Sequence, residues 1–456
     1  MASTADVVIC GAGIAGIAAA HELAKRQGVK NVVLVDERPP LTLTSDKSSE
    51  CYRNWWPGPG DAMVAMMNRS IDLLESLAHE SGNVFHLNRR GYVYATAEAD
   101  NISALKRFAE EASALGAGAV RYHGEMAGGE SYQPAAAEDF EGQPQGADLI
   151  TDRELIGEYY PYLCEDIAAL LHVRRAGWFS AQQYGMYLLA QARAQGARVV
   201  SGRVEAVETA GGEVRGVKLT GGERIAAPVF VNAAGPLLKP VGELLGVAIP
   251  VVNELHMKAA FDDHRGVIPR EAPLLIYADE QELAWDEEER AMLADDDEMS
   301  WLAGRLPSGA HTRPEGGAHA QSVLMLWDVH NTEVEVVIPP PIDPMYLEMA
   351  LRGLIKLIPG LGVYLEKLPQ PYIDGGYYTK TGENRPLAGP LPVAGAYVIG
   401  AMSGYGIMAS AALGELLGAH ITGRALPDYA AAFNINRYQD PAYQRQLETW
   451  GASWQL

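Results

Sequence analysis

At 456 residues, 48% of them apolar and 21% charged, the chain reads as globular and is long enough for two or three domains. A formal charge of −22 argues against a nucleic acid or an anionic bilayer as partner, because both call for a basic surface. The three cysteines, Cys10, Cys51 and Cys164, have neither metal-ligand spacing nor a disulfide framework, so no metal site is expected and a reducing, cytoplasmic setting is.

The first elements carry the most information. An apolar run from Val7 to Cys10 stops at Gly11-x-Gly13-x-x-Gly16. A helical pattern follows from Ile17 to Gln27, and a second apolar run from Val32 to Val35 ends on Asp36. This is a strand–turn–helix–strand unit with a dinucleotide fingerprint. Gly11 permits the tight turn, Gly13 lets backbone approach a pyrophosphate, and Gly16 lets the helix pack close to the strand. The helix N-terminus, at Ile14 and Ala15, offers N–H groups and a positive dipole end to the phosphates. Asp36, or its neighbour Glu37, can accept hydrogen bonds from an adenosine ribose.

Further along, a Ser-rich loop spans residues 45–49 and a strand-like segment runs from Leu87 to Thr96. Residues 123–146 are rich in Gly, Ala and Pro and read as an excursion or mobile loop. A helix is expected from Gln183 to Gln195, then strands with turns at Gly211-Gly212 and Gly221-Gly222. The run from Val229 to Asn232 ends in Ala233-Ala234-Gly235-Pro236, small residues that allow close approach of a ligand. The acidic stretch 279–298 reads as a solvated helix and loop, with a lid or docking element as the alternative. A strand-like segment runs from Gln321 to Asp328. Ala396 to Ile421 has the length of a membrane span, but Gly400, Gly404, Gly406 and Glu415 interrupt it. Strand, Gly-rich loop and buried helix is the better reading, so no membrane span is expected.

Residues 7–36, 229–236 and 372–415 together resemble the D-amino-acid oxidase type of FAD-dependent oxidoreductase. That group includes glycine oxidase, sarcosine oxidases and dehydrogenases, and dimethylglycine dehydrogenase. The most specific part is GGYYTKTGENRPLAGPLP followed by AYVIGAMSGYGIMASAALGE. The resemblance implies an α/β fold, with a Rossmann-like FAD-binding domain and a mostly antiparallel-sheet substrate domain. The FAD-binding part is expected at 1–85, 150–245 and 370–435, the substrate part at 86–149 and 246–369, and a C-terminal tail at 436–456. That tail is aromatic and could pack on another copy of the chain.

The resemblance also assigns cofactor residues. Ser45, Lys47 and Ser48 fall in the loop that wraps the pyrophosphate and flavin, and Val204 falls where backbone meets the adenine. Ala234 and Gly235 approach the cofactor, and Gly404, Tyr405, Gly406, Ile407 and Met408 surround the flavin at a helix start. A covalent thioether would need a Cys two residues before Tyr378, where Gly376 stands, and no His lies between His21 and His79 for the alternative linkage. Non-covalent FAD is therefore expected.

On the substrate side the resemblance implies Arg53 as a carboxylate anchor. The family's second anchor, a Lys, is replaced by Met408, with Arg313 as a possible substitute. Tyr378 lines the substrate side of the flavin, and His311 approximates an active-site Tyr. Trp55, Trp56, Tyr92 and Tyr94 could form an aromatic wall. The implied reaction is oxidation of a C–N bond in an amine or amino acid by hydride transfer to flavin N5. A flavin dehydrogenase of a 2-hydroxy acid or polyol phosphate, a flavin-bearing assembly protein and an NAD-only dehydrogenase are the rivals. In the strand-like SVLMLWD, Met325 aligns with a family Lys that aids electron transfer to oxygen. That points to a dehydrogenase using a quinone or an electron-transfer protein rather than oxygen, unless Lys47 or Lys380 supplies the charge.

Overall fold

The computed structural model describes residues 3–124, 131–138, 140–297, 299–317, 319–329, 332–448 and 450. Its centre is a six-stranded sheet in the order Arg198–Ser201, Val32–Asp36, Val7–Cys10, Val229–Asn232, Ala396–Gly400, Leu387–Pro390. Every pair is parallel except the last. Helices Ile14–His21, Ala181–Ala194 and Gly406–Thr422 pack on one another beside this sheet, with helix Ala62–Ser81 against the last of them. A second apolar cluster joins the sheet to a four-stranded sheet formed by Ser3–Thr4, Arg224–Ala226, Glu213–Leu219 and Val204–Ala210. Cover on both faces explains why the central strands are continuous apolar runs rather than alternating ones. The helices come together through small residues: a Cβ on Gly414 would stand 3.1 Å from the Ala18 backbone.

The second half is a nine-stranded sheet in the order Tyr372–Lys380, Val252–Asp262, Ser322–Leu326, His311–Pro314, Leu274–Tyr277, Tyr92–Thr96, Ala169–Val173, Ala147–Ile150, Val120–His123. Antiparallel pairs dominate it. Two strands, Ala169–Val173 and Tyr372–Lys380, were expected with the FAD-binding part and belong to this sheet instead. The Tyr372–Lys380 strand is thereby the link that carries Tyr378 between the halves.

Register decides which side chains face the six-stranded half. His311 pairs with Leu326 and Arg313 with Leu324, so these four share a face. Met325 pairs with Thr312 and Ala259 and lies fully buried in the opposite cluster, among residues of helix Tyr346–Ile355. The expectation that Met325 faces the flavin is therefore corrected: it is one residue out of phase, and a strand sends adjacent side chains to opposite faces.

Within the acidic stretch, helix Glu287–Ala294 is exposed, closed by a capping box between Asp286 and Glu289 and without a buried side chain, whereas Asp279, Gln281 and Leu283 before it are buried rather than solvated. The Gly- and Pro-rich excursion is tied down where Tyr132 meets Tyr160 at 2.6 Å and His172 at 2.9 Å; residues 125–130 lie outside the described ones. In the C-terminal tail, Trp450 lies under the Arg385 guanidinium and meets Tyr443 of its own chain edge-on, and 451–456 lie outside the described residues. Among the described residues no helix is long and apolar enough to cross a membrane.

Candidate active site

A cavity runs along the C-terminal ends of the central strands, where open α/β sheets bind nucleotides. Gly11, Gly13, Ile14 and Ala15 line it at the start of the first helix. Two of the three fingerprint glycines are sterically compulsory. A Cβ on Gly11, whose φ is +113°, would meet the Ala233 carbonyl oxygen at 2.3 Å, and one on Gly16 would meet the Gly11 oxygen at 2.0 Å. Gly13 is the N-cap and brings no side chain to the helix start. The Ser45 hydroxyl accepts instead from the Ile14 N–H at 3.0 Å. Asp36 accepts from the N–H groups of Ala12 at 2.8 Å and Arg38 at 2.9 Å, which fixes the carboxylate at the cavity wall.

At the other end of the cavity Gly404, Gly406 and Ile407 stand at the start of helix Gly406–Thr422, which also has no side-chain cap. Two helix N-termini thus present positive dipole ends to one elongated space, which suits a pyrophosphate at one and flavin charge at the other. Ala401 and Ser403, with φ of +55° and +44°, are non-glycine residues in left-handed conformation in the connecting loop. Such strain persists where the surroundings enforce it, commonly at ligand sites.

A second, smaller cavity adjoins the first, with Tyr378 and Gly404 in both walls. Its remaining lining is Ser49, Arg53, Trp56, Tyr92, His311, Asp328, Tyr405 and Met408. The Arg53 guanidinium lies over the Trp56 ring at 4.6 Å and the Tyr92 ring at 5.7 Å, and its Nε donates to the Trp55 carbonyl at 3.1 Å. No protein acceptor takes its terminal nitrogens among the described residues, so they are open to an acceptor such as a carboxylate. The His311 Nδ1 stands 2.8 Å from the Gly309 carbonyl, which can only accept. The proton is thereby assigned to Nδ1, and Nε2 is left as an acceptor. Burial keeps the His311 pKa below the ordinary value, against the opposing pull of Asp328.

Behind the pocket runs a line of alternating charge. Lys380 Nζ is 2.7 Å from Glu254, Glu254 is 3.2 Å from His256 Nε2, and His256 Nδ1 is 2.7 Å from Asp328 Oδ1. The last contact is a close ion pair whose ring nitrogen is not aligned as a hydrogen-bond donor. The His256 ring stacks on Tyr378 with centroids 3.8 Å apart. Burial disfavours the imidazolium, but Asp328 and Glu254 outweigh it and hold the His256 pKa up at about 9.

The profile of the family described as "DAO: FAD dependent oxidoreductase" matches residues 6–420. The chain belongs to this family. No curated protein sequence matches it. Among solved structures, L-proline dehydrogenase from P. horikoshii is similar at 20% identity, over 96% of this chain and 99% of that one, with a TM-score of 0.72. Glycine oxidase from Geobacillus kaustophilus is similar at 17% identity, over 95% and 99%, with a TM-score of 0.72. Iminodiacetate oxidase from Chelativorans sp. BNC1 is similar at 15% identity, over 94% and 98%, with a TM-score of 0.69. These likenesses show a shared fold. FAD is the family's cofactor, and the glycine cradle and paired helix N-termini described above fit it.

For this FAD-dependent oxidoreductase, the structure gathers most of the sequence-derived cofactor residues round the large cavity, including Ser48, Ala234 and Gly235. Others lie elsewhere. Gly16 acts by packing. Glu37 is spent on Arg38 at 2.6 Å, which leaves Asp36 as the acid at the wall. Lys47 is held between Asp46 at 2.9 Å and Asp374 at 2.7 Å. Val204 is buried in the cluster under the four-stranded sheet. Tyr405 and Met408 line the smaller pocket rather than the larger one.

Of the residues expected at the substrate, Arg53, His311 and Tyr378 meet in the small pocket, while Arg313 and Lys380 do not. Arg313 is fully buried and committed: it donates to the Ser49 carbonyl at 2.8 Å and pairs with Glu315 at 2.6 Å and Glu50 at 3.4 Å. It ties down the loop before Arg53 rather than offering a free guanidinium. Lys380 sits at the far end of the charge line. Of the four aromatics, Trp56 and Tyr92 line the pocket, Trp55 is core, and Tyr94 faces a neighbouring groove. Sequence reasoning missed Asp328, Glu254 and His256. Its available signal was the alternation Glu254-x-His256-x-Lys258 inside one strand, which puts three titratable groups on one face.

Proposed function

We propose that this chain oxidises the C–N bond of a small amino acid or amine, with FAD bound non-covalently. The observation that carries the reading is the meeting of two cavities at Tyr378 and Gly404: one lined by Gly11, Gly13 and Asp36, and a smaller one with Arg53 in its wall. FAD, when bound, supplies the hydride acceptor. The chain's own residues supply the rest. Arg53 holds the substrate carboxylate, and the faces of Trp56 and Tyr92 exclude water around it. His311 Nε2 receives the proton that the substrate ammonium must lose before it can give up hydride. Structural neighbours named for proline, glycine and iminodiacetate support a small amino-acid substrate. Three free thiols support a reducing, cytoplasmic setting.

The same His311 nitrogen favours a second reading, a 2-hydroxy acid, whose hydroxyl proton needs a base. Anaerobic mixing of the holoenzyme with glycine, sarcosine, L-proline, simple amines and 2-hydroxy acids decides between them. Bleaching of the flavin by amino acids or amines supports the first reading; bleaching by hydroxy acids alone overturns it.

A further inference from the structure

Asp328 is a carboxylate in the wall of the same small pocket that holds Arg53. It lies two residues past the Ser322–Leu326 strand, and its side chain is only 13% exposed. One of its oxygens, Oδ1, faces His256 at 2.7 Å. The other has no protein donor among the described residues. An ionised carboxylate accepts at about four lone-pair positions, and one removed from water needs donors to fill them. The pocket therefore has a cation with open donors in one wall and an anion with open acceptors in another.

We infer that Asp328 is the counter-ion of the substrate nitrogen, so that the pocket selects an α-amino acid held as a zwitterion between Arg53 and Asp328. This rests on the amine-oxidising reading above and narrows it. An α-amino acid carries a carboxylate and an N–H donor on neighbouring groups, which suits one small pocket with Arg53 and Asp328 in its walls. Primary and secondary amines keep an N–H for Asp328 after losing their extra proton. A tertiary amine keeps none. The pocket thus favours the glycine, sarcosine and proline type over N,N-dimethylglycine. Asp328 is steady in this role because His256 is itself held from behind by Glu254, which Lys380 pairs in turn, and from the side by the Tyr378 ring.

The test uses holoenzyme and ligands that cannot be oxidised. 2-Aminoisobutyrate has no α-hydrogen, and pivalate is its shape without the amine. Isothermal titration calorimetry measures both on wild type, Asp328→Asn and Asp328→Glu, with FAD content as the folding control. The expected result is wild-type preference for 2-aminoisobutyrate, lost on the order of 30-fold in Asp328→Asn while pivalate binding holds, and regained in part by Asp328→Glu. A purely structural Asp328 would weaken both ligands alike, and that result overturns the inference. So does wild type that binds pivalate as well as 2-aminoisobutyrate, or binds neither. Flavin bleaching by amino acids without Asp328-dependent preference sinks this inference alone. Bleaching by hydroxy acids only sinks the amine reading with it.

Discussion

His256 and Asp328 hold opposite charges 2.7 Å apart at the back of the small pocket, and the imidazole keeps its proton up to about pH 9. In the unfolded chain the same ring loses its proton near its ordinary 6.5. The raised folded value means that the pair stabilises the fold fully below pH 6.5 and progressively less as pH rises through about 9. A shift of this size corresponds to roughly 3 kcal/mol. His256→Gln should therefore lower the urea midpoint most below pH 6.5 and approach wild type above pH 9. A difference from wild type that does not change with pH would refute the charged pair.

Arg53 has only its Nε committed to protein, at 3.1 Å from the Trp55 carbonyl. Arg53→Met should weaken carboxylate ligands by about 2–5 kcal/mol, seen as a raised KM or lowered kcat/KM, with FAD retained. Arg53→Lys should recover part of the loss, because it keeps the charge and gives up the bidentate fork. Unchanged kinetics in Arg53→Met would mean a substrate without a carboxylate.

Much of this was legible in sequence where one steric or hydrophobic rule acts alone. The glycine spacing reads as a cradle because Gly16 and Gly11 touch, and the runs at Val7 and Val229 read as buried because both faces of their sheet are covered. What was not legible is which side of a strand meets the cofactor. Alternation in the Val252–Asp262 strand marks a polar face, yet a polar face usually means solvent, and here it meets the other half of the molecule. The same ambiguity put Met325 on the wrong side, since a shift of one residue inverts a strand. Arg313 was misjudged for another reason: its partners Ser49 and Glu50 lie more than 260 positions away, and only the folded chain brings them to it.

Gly16 supplies a sharp steric test. A methyl group there would stand 2.0 Å from the Gly11 oxygen, with backbone on both sides of the clash. Overpacking of this kind costs about 1–3 kcal/mol or more. Gly16→Ala should purify with a reduced FAD-to-protein ratio and a lower Tm. Full occupancy, read from flavin and protein absorbance, would show that the helix can step back at little cost.

The linkage of the flavin is open to a simple chemical check. Gly376 offers no nucleophile, and a Cβ there would stand 2.9 Å from the Lys47 side chain. Cys51 is buried, lies outside both cavity walls, and has its thiol pKa raised by that burial. Acid precipitation should release all the FAD into the supernatant. Yellow colour kept in the pellet would require a covalent bond from another residue.

Lys258 is the cation to test in the oxidative half of the reaction. With Met325 on the far face, the strand position facing the flavin half is Leu324, and its neighbour across the sheet, Ala260, shares that face with Lys258. Lys47 and Lys380 are each held by carboxylates within 3 Å, at 2.7 Å in the shortest contact of each. Lys258 instead donates to the carbonyls of Ser48 at 2.9 Å and Asp46 at 3.3 Å, directly behind the loop that walls the large cavity. Burial lowers its pKa, with Glu50 and Asp374 opposing. A fixed cation in a desolvated site stabilises developing negative charge, and removing one such group commonly costs on the order of a hundredfold in rate. Stopped-flow reoxidation of the reduced holoenzyme by oxygen should therefore slow by at least about tenfold in Lys258→Met, with reduction by substrate unaltered. Equal reoxidation rates in wild type and variant would remove Lys258 from the oxidative half. If both were slow with oxygen but fast with a soluble quinone, the enzyme would be a dehydrogenase.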